Sequence, residues 1–299
     1  MRVFVTGAAG FIGQATVKDL LEHGHSVVGL SRSDANASIL TALGATPLRG
    51  DIKDLDSLRR GARDSDGVIH LAMIHDFSDY AAACASDRAA IEAMGEELAG
   101  SGKPFVIASG TLSCQTGVLA TEDSEPTRDH PPFSLRSLSA DLVYQLSKEK
   151  NIRGSVIRLP PTVYAEGKGG LTSLLIDTYK GKGGPVVYIG DGSARWPGCY
   201  RDDAATAFRL ALEKGKSGAT YHAVAEEGIP MKATAEMIGK NMNIPVESRS
   251  VEEATSILGM FARVIDMDNP SSSEKTRKEL GWEPVGPRLI ADFEANFPH

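Results

Sequence analysis

Short apolar runs alternate with helical or polar stretches through the first half of the chain. Val3–Val5, Ser26–Leu30, Thr46–Leu48, Gly67–Leu71 and Pro104–Ala108 are β-rich, and several lack polar alternation, the mark of strands covered on both faces. Ile12–Glu22 carries a helical pattern between the first two. This alternation predicts an α/β fold, a parallel sheet with helices wound on both sides. After the Pro131-Pro132 pair a longer helix is expected over Phe133–Asn151, then another buried strand at Ser155–Leu159. Beyond Tyr164 the texture changes. Gly167, Gly169, Gly170, Gly181, Gly183 and Gly184 suggest loops around a short helix at Leu171–Tyr179, and residues 230–299 mix helical patterns with Pro245, Pro270, Pro284 and Pro287. We read residues 1–164 as the sheet domain, with 195–227 returning to it. Residues 165–194 and 228–299 form a smaller, interleaved lobe.

The strongest local signal is Gly7-Ala8-Ala9-Gly10-Phe11-Ile12-Gly13, set directly between the first strand and the first helix. Glycine permits a tight turn, lets backbone N–H groups approach a pyrophosphate and allows close helix–strand packing. The helix N-terminus adds unpaired donors and partial positive charge. Gly7, Gly10, Phe11, Ile12 and Gly13 are therefore candidate dinucleotide-binding residues. The end of the second strand selects the dinucleotide: an acid there would bond a ribose 2′-hydroxyl, an arginine a 2′-phosphate. The chain reads Ser31-Arg32-Ser33, with no acid before Asp34. A planar guanidinium between two hydroxyls is phosphate-binding chemistry. NADP(H) is the expected cofactor, with Asp34 able to serve a ribose if the loop folds back.

With these residues in place the chain resembles the extended and atypical short-chain dehydrogenase/reductases, the group that contains NAD-dependent epimerases and dehydratases. Gly50-Asp51-Ile52 is similar to the family segment that touches the adenine, and His70-Leu71-Ala72 to the strand end beside the cofactor ribose. Arg158-Leu159-Pro160-Pro161-Thr162-Val163-Tyr164 resembles the strand end against the nicotinamide carboxamide. The resemblance thus implies a doubly wound Rossmann sheet with a substrate lobe, and adds Asp51, Ile52, Leu71, Ala72, Pro160 and Val163 to the cofactor-binding set. Gly190-Asp191-Gly192, Arg201-Asp202-Asp203-Ala204 and Leu280-Gly281-Trp282-Glu283-Pro284 are similar to later family landmarks, in the same order. The subgroup it resembles most is one of small bacterial and fungal members, mostly unassigned oxidoreductases.

Members of the family exchange the substrate proton through Tyr and Lys at YxxxK spacing, aided by a Ser or Thr. The pattern exists here as Tyr144-Gln145-Leu146-Ser147-Lys148. Ligands bind at the carboxyl ends of parallel strands, so the helix must run back past the sheet after its catalytic Tyr. Retracing a strand of ~17–20 Å takes ~12 helical residues, and only Glu149–Gly154 separate Lys148 from the strand at Ser155. Counting back instead puts Phe133 and Ser137 at the family's Tyr and Lys positions. The pair is read as displaced, with Tyr144 and Lys148 kept as a lesser alternative. Ser109 and Thr111, at the end of the strand Phe105–Ala108, are then the candidate catalytic hydroxyls, and sequence does not choose between them. Arg136, one turn into the helix, is placed to meet an anionic or carbonyl group. Tyr164 and Tyr200 are possible replacement proton donors, and Trp196 a pocket wall. His23, His25, His75, His130, His222 and His299 have no matching Ser/Asp arrangement and read as surface or packing residues.

Composition narrows the functional classes. The 299 residues carry 32 Lys+Arg against 39 Asp+Glu, net −7, so no basic stripe exists to displace counterions from nucleic acid. No apolar run approaches ~18 residues, so no membrane span is expected. Cys84, Cys114 and Cys199 lie far apart, without zinc spacing, which points to no metal and no disulfide framework in a cytoplasmic protein. The expected activity is NADP(H)-dependent hydride transfer to or from a small carbonyl or alcohol. Two alternatives are a nucleotide-sugar epimerase or dehydratase, with Lys168, Lys180 and Lys182 near a diphosphate, and a non-catalytic NADP(H) redox sensor. The oligomeric state is left open.

Overall fold

The computed structural model describes residues 1–74, 79–128 and 133–297. His75, His130, His299 and the Pro131-Pro132 pair lie outside the described residues, as does the Phe133 side chain. The first half winds as β1 (Arg2–Thr6), α1 (Phe11–Glu22), β2 (Ser26–Ser31), α2 (Asp34–Leu43), β3 (Thr46–Arg49), α3 (Leu55–Arg63), β4 (Gly67–His70), α4 (Tyr80–Leu98) and β5 (Pro104–Gly110). Next come α5 (Phe133–Glu149), β6 (Arg153–Leu159), β7 (Thr162–Tyr164), α6 (Gly170–Lys182), β8 (Val186–Ile189), β9 (Arg195–Tyr200), α7 (Arg201–Lys214) and β10 (Ala219–His222). The chain ends with β11 (Glu226–Pro230), α8 (Met231–Met242), β12 (Val246–Arg249), α9 (Val251–Leu258), α10 (Phe261–Ile265), α11 (Glu274–Leu280) and α12 (Leu289–Asn296).

Seven parallel strands form the main sheet in the order β3-β2-β1-β4-β5-β6-β10. The strand order reverses between β1 and β4, and a crevice for ligand opens at the carboxyl ends of strands at such a point. Both faces are dry. Val3 and Val5 of β1 pack with Val17 and Leu20 of α1 and Phe208 of α7, while Phe4, between them, packs with Leu58, Ile91 and Val143 of α3, α4 and α5. Period-two alternation sends successive side chains to opposite faces, and apolar residues at all three positions are what a doubly covered strand requires.

The lobe has its own core, built from Tyr164, Leu175, Ile176, Ile238 and Phe293 around the short sheets β11-β9-β7 and β12-β8. Trp196, expected as a pocket wall, is buried in this core and does not line the cavity beyond β5 and β6. Leu280 and Trp282, late in the chain, pack in the core of the main sheet, where the indole N–H of Trp282 donates to the Asp203 carbonyl at 2.9 Å.

His222 on β10 is fully buried, its Nδ1 2.8 Å from the Ser272 carbonyl oxygen. Burial, with the Arg158 cation nearby, pushes its imidazole down to about 3. The unfolded chain therefore binds a proton below the ordinary value of 6.5 that the folded chain refuses. Stability present above that value falls as pH drops toward the folded value, by up to about 1.4 kcal/mol per pH unit. Urea midpoints measured between pH 7.5 and 4.5 should decline more steeply for the wild type than for His222→Gln; parallel declines would remove His222 as the cause.

Candidate active site at the carboxyl ends of the sheet

The glycine turn after β1 is shaped for an anion. Gly10 N–H donates to the Gly7 carbonyl at 2.9 Å, closing the turn, and Gly7 adopts φ +67°. A Cβ on Gly7 would stand 2.7 Å from the Ala72 nitrogen, and one on Gly13 2.0 Å from the Gly7 oxygen. Backbone thus fills the space that side chains would need, and Gly7 and Leu71-Ala72 come into direct contact. The first-turn N–H groups of α1, at Phe11, Ile12 and Gly13, have no intrahelical partners, no side chain caps them and no acid sits among them. This donor set fits a pyrophosphate. The Arg201 guanidinium lies over Phe11, 5.2 Å from the centre of the Phe11 ring, and Gly169 leaves room for the Val163 carbonyl of β7 and the Phe11 ring of α1.

At the end of β2 the side chains sort differently from the sequence expectation. Ser31 Oγ is buried and donates to the Ser33 carbonyl at 2.8 Å, while Ser33 Oγ accepts the Asn36 N–H at 3.2 Å and caps α2. Ser31 Oγ is spent on the turn, whereas Ser33 Oγ, which only accepts here, keeps its own proton to donate. Arg32 is exposed and bonded to no side chain among the described residues. Asp34, the acid that could have served a ribose, is paired with Arg49 at 2.8 Å. Gly50 N–H donates to the Ser31 carbonyl at 3.1 Å, which brings Asp51 and the buried Ile52 beside the β2 end.

Beyond the ends of β5 and β6 lies a cavity of about 190 Å³ walled by Tyr80, Ser109, Arg136, Pro160, Pro161 and Leu171. The two candidate hydroxyls differ in their surroundings. Thr111 Oγ1 is fully buried and donates to Asn269 Oδ1 at 2.8 Å, and Asn269 Nδ2 returns a bond to the Thr111 carbonyl at 3.0 Å. Ser109 lines the cavity.

Tyr144 is placed elsewhere. It lies eleven residues along α5 from Phe133, ~16 Å at helical rise, and its hydroxyl is 2.5 Å from Thr220 Oγ1 on the edge strand β10. Lys148 is exposed in the last turn. Neither lines the β5–β6 cavity. Tyr164 is also committed, its hydroxyl bonding Glu226 Oε1 at 2.9 Å and the Pro287 carbonyl at 2.8 Å; burial and that carboxylate push the phenol far above its ordinary range. Tyr200 packs edge-on against the Tyr164 ring.

Sequence reasoning missed a buried polar chain behind the cavity. Thr6 Oγ1 accepts from Ala72 N–H and stands 2.7 Å from His70 Nδ1; His70 Nε2 stands 3.1 Å from Asp87 Oδ1. Ser139 Oγ donates to Asp87 Oδ2 at 2.5 Å, and the Arg136 guanidinium pairs with the same oxygen while donating to the Ala108 carbonyl at 2.6 Å. Burial alone would push the Asp87 carboxyl up, but Arg136 and His70 hold it well below the usual carboxylate range. The spacing of Arg136 and Ser139 on α5, three apart, is the one sequence signal for this cluster. Ser137 is buried, and among the described residues its hydroxyl has no partner.

A pyrophosphate cradle at the switch point of a doubly wound sheet, with a lobe over the carboxyl edge, defines a dinucleotide-dependent class of the short-chain dehydrogenase/reductase type. The chain belongs to the NAD dependent epimerase/dehydratase family, whose model matches residues 3–225. It is 47% identical over 297 residues to an uncharacterized protein of Schizosaccharomyces pombe, covering 99% of each chain. It is 25% identical over 270 residues to the 2-alkyl-3-oxoalkanoate reductase of Stenotrophomonas maltophilia, covering 86% of this chain and 80% of the other. Its fold matches UDP-glucuronic acid 4-epimerase from Bacillus cereus, solved with UDP-glucuronic acid and NAD, at TM-score 0.76 and 21% identity, over 99% of this chain and 98% of that one. Among the described residues no helix is long and apolar enough to cross a membrane.

Proposed function

We propose that the protein is a cytoplasmic NADP(H)-dependent oxidoreductase acting on a small carbonyl or alcohol. The observation that carries this reading is the free Arg32 guanidinium at the adenosine end of the glycine cradle, where Asp34 is already paired with Arg49. The N-terminus of α2 adds its partial positive charge at the same place. Gly7, Gly10 and Gly13 with the first turn of α1 would hold the pyrophosphate, Asp51 and Ile52 the adenine side, and Leu71, Ala72, Pro160 and Val163 the nicotinamide half. When bound, the nicotinamide supplies or accepts the hydride. Ser109 would hold the substrate oxygen. The cavity of about 190 Å³ suits a small substrate, and the resemblance to an oxoalkanoate reductase points the same way.

The test is cofactor titration. NADPH should bind at least tenfold more tightly than NADH, and Arg32→Ala should weaken NADPH about 10- to 100-fold, the worth of a charge-assisted phosphate bond, while leaving NADH nearly unchanged. Equal affinities for both nucleotides in the wild type would overturn the NADP assignment. A second reading, nucleotide-sugar epimerisation, is favoured by the family match and by the UDP-glucuronic acid in the Bacillus cereus neighbour. It requires NAD that stays with the protein through gel filtration.

A further inference from the structure

We infer that the protein has a second binding site, where α5 covers the β6–β10 edge of the main sheet, and that it takes a small zwitterion bearing one carboxylate and one ammonium group. The site is a cavity of about 280 Å³, larger than the one beyond β5 and β6. Its floor is made by Arg158 of β6, Thr220 of β10 and Tyr144 of α5. Arg158 pairs in register with His222, and Thr220 with Val156, so period-two alternation sets Arg158 and Thr220 on one face of the sheet. That face is the one α5 covers, since Val156 packs there with Val143 and Leu146. The segment leading from β5 into α5 supplies the wall, from Glu122 to Pro126. The two cavities share a strand: Arg158 lines this one, while Leu159 and Pro160, next in sequence, line the other.

Arg158 is the residue that calls for a ligand. It is 4% exposed, and a charge at that depth ordinarily has a partner of opposite sign. Among the described residues it forms no ion pair. Its one internal bond runs from Nη1 to the Ser124 carbonyl at 2.9 Å. The other guanidinium nitrogens bond nothing among the described residues, yet they are not sealed in protein, so they open on the cavity. Beside them the Tyr144 and Thr220 hydroxyl oxygens stand 2.5 Å apart. One proton lies between these two oxygens, which leaves the other hydroxyl proton to give away. A guanidinium with a hydroxyl donor on the same floor is a receptor for one carboxylate.

The walls decide what else the ligand carries. Four carboxylates line the cavity against two cations, so a second negative charge on the ligand is repelled and phosphates are disfavoured. Three of the four acids are satisfied within the protein. Asp123 pairs with Lys275 at 2.6 Å, Asp141 with Arg128 at 2.6 Å, and Glu122 accepts the Thr276 N–H and hydroxyl at 2.7 and 2.6 Å. Glu125 is exposed and forms no ion pair among the described residues. A spare cation on the floor and a spare carboxylate at the rim complement a ligand with opposite charges at its two ends. Tyr144, displaced from the dinucleotide crevice, belongs to this site instead.

The experiment is calorimetric titration of the full chain at neutral pH with glycine, β-alanine and 4-aminobutyrate, zwitterions of increasing length. Butyrate, butylammonium and inorganic phosphate are the comparison probes. At least one zwitterion should bind about tenfold more tightly than each of these three. Arg158→Gln should weaken that zwitterion about 10- to 100-fold. Glu125→Gln, a surface change, should bring it down to the level of butyrate while leaving butyrate itself unchanged, and Glu125→Lys should make butyrate the better ligand. Saturation with NADPH should leave zwitterion binding in place. No zwitterion binding tighter than butyrate in the wild type, or phosphate binding tighter than either, would overturn the ligand class. A preference that survives Glu125→Gln, or displacement of the zwitterion by NADPH, would overturn the site and leave the oxidoreductase reading standing. Circular dichroism checks Arg158→Gln; if that variant does not fold, the two Glu125 variants decide the matter.

Discussion

Gly13→Ala is expected to weaken dinucleotide binding more than a hundredfold. The added methyl would sit 2.0 Å from the Gly7 oxygen and 2.8 Å from its carbonyl carbon, and neither can retreat as the end of a flexible side chain could. Gly7 is itself pinned, with the Ala72 nitrogen 2.7 Å from where its own Cβ would be. Relief therefore comes only from lifting α1 away from the turn, which moves the first-turn N–H groups off the pyrophosphate. Overpacking of this kind costs about 1–3 kcal/mol of stability, so the variant should fold while losing NADPH affinity more than a hundredfold. Gly181→Ala is the control: nothing lies within 4 Å of its added methyl, and a helical alanine there should be neutral or slightly stabilising. Circular dichroism and NADPH fluorescence on both variants decide the matter. Binding within threefold of wild type in Gly13→Ala would show that the turn is not the cradle.

Arg136→Met should be the most damaging single change to stability. It leaves Asp87 buried beside His70 without its guanidinium partner, and breaking such a pair costs about 3–5 kcal/mol. The sign with pH follows from Asp87. Its carboxyl is held well below the usual range in the folded protein, so the stability it contributes is present above the ordinary value of 3.8 and lost as pH falls through and below it. Without Arg136, burial dominates and the carboxyl moves up, so the variant should lose less than the wild type on acidification. Adding Asp87→Asn should recover part of the loss by removing the unpaired charge. Urea unfolding at pH 7 measures the deficit, and unfolding at pH 3, below the ordinary value of 3.8, measures the difference on acidification. A deficit below 1 kcal/mol at pH 7 would mean that the pair is solvated.

The sheet was legible because its signals are local. An apolar run, a glycine turn and a helical stripe each declare themselves within a dozen residues, and β1, α1, β2 and β6 fall within two residues of where the pattern put them. The glycine cradle was readable for the same reason. The cavity was not. Asp87, in Ser86-Asp87-Arg88, reads as a solvated face, and only the register of α4 against β4 brings it to His70, seventeen residues away. The difference between Ser109 and Thr111 turns on Asn269, 158 residues beyond Thr111, which no local pattern reports. The capping role of Ser33 was not read, because a capping serine and a phosphate-binding serine have the same sequence signature.

Trp282 has a consequence for biogenesis. Every strand of the seven-membered sheet has been synthesised once His222 is in place, yet the fully buried indole that plugs its α7 side, stacked under Arg277 at 5.3 Å, is translated sixty residues later. A nascent chain halted at residue 227 would display an open hydrophobic socket and would be a client for chaperones. The core of the sheet is thus closed by residues translated after every one of its strands, and a fragment ending before Leu280 should lack that closure.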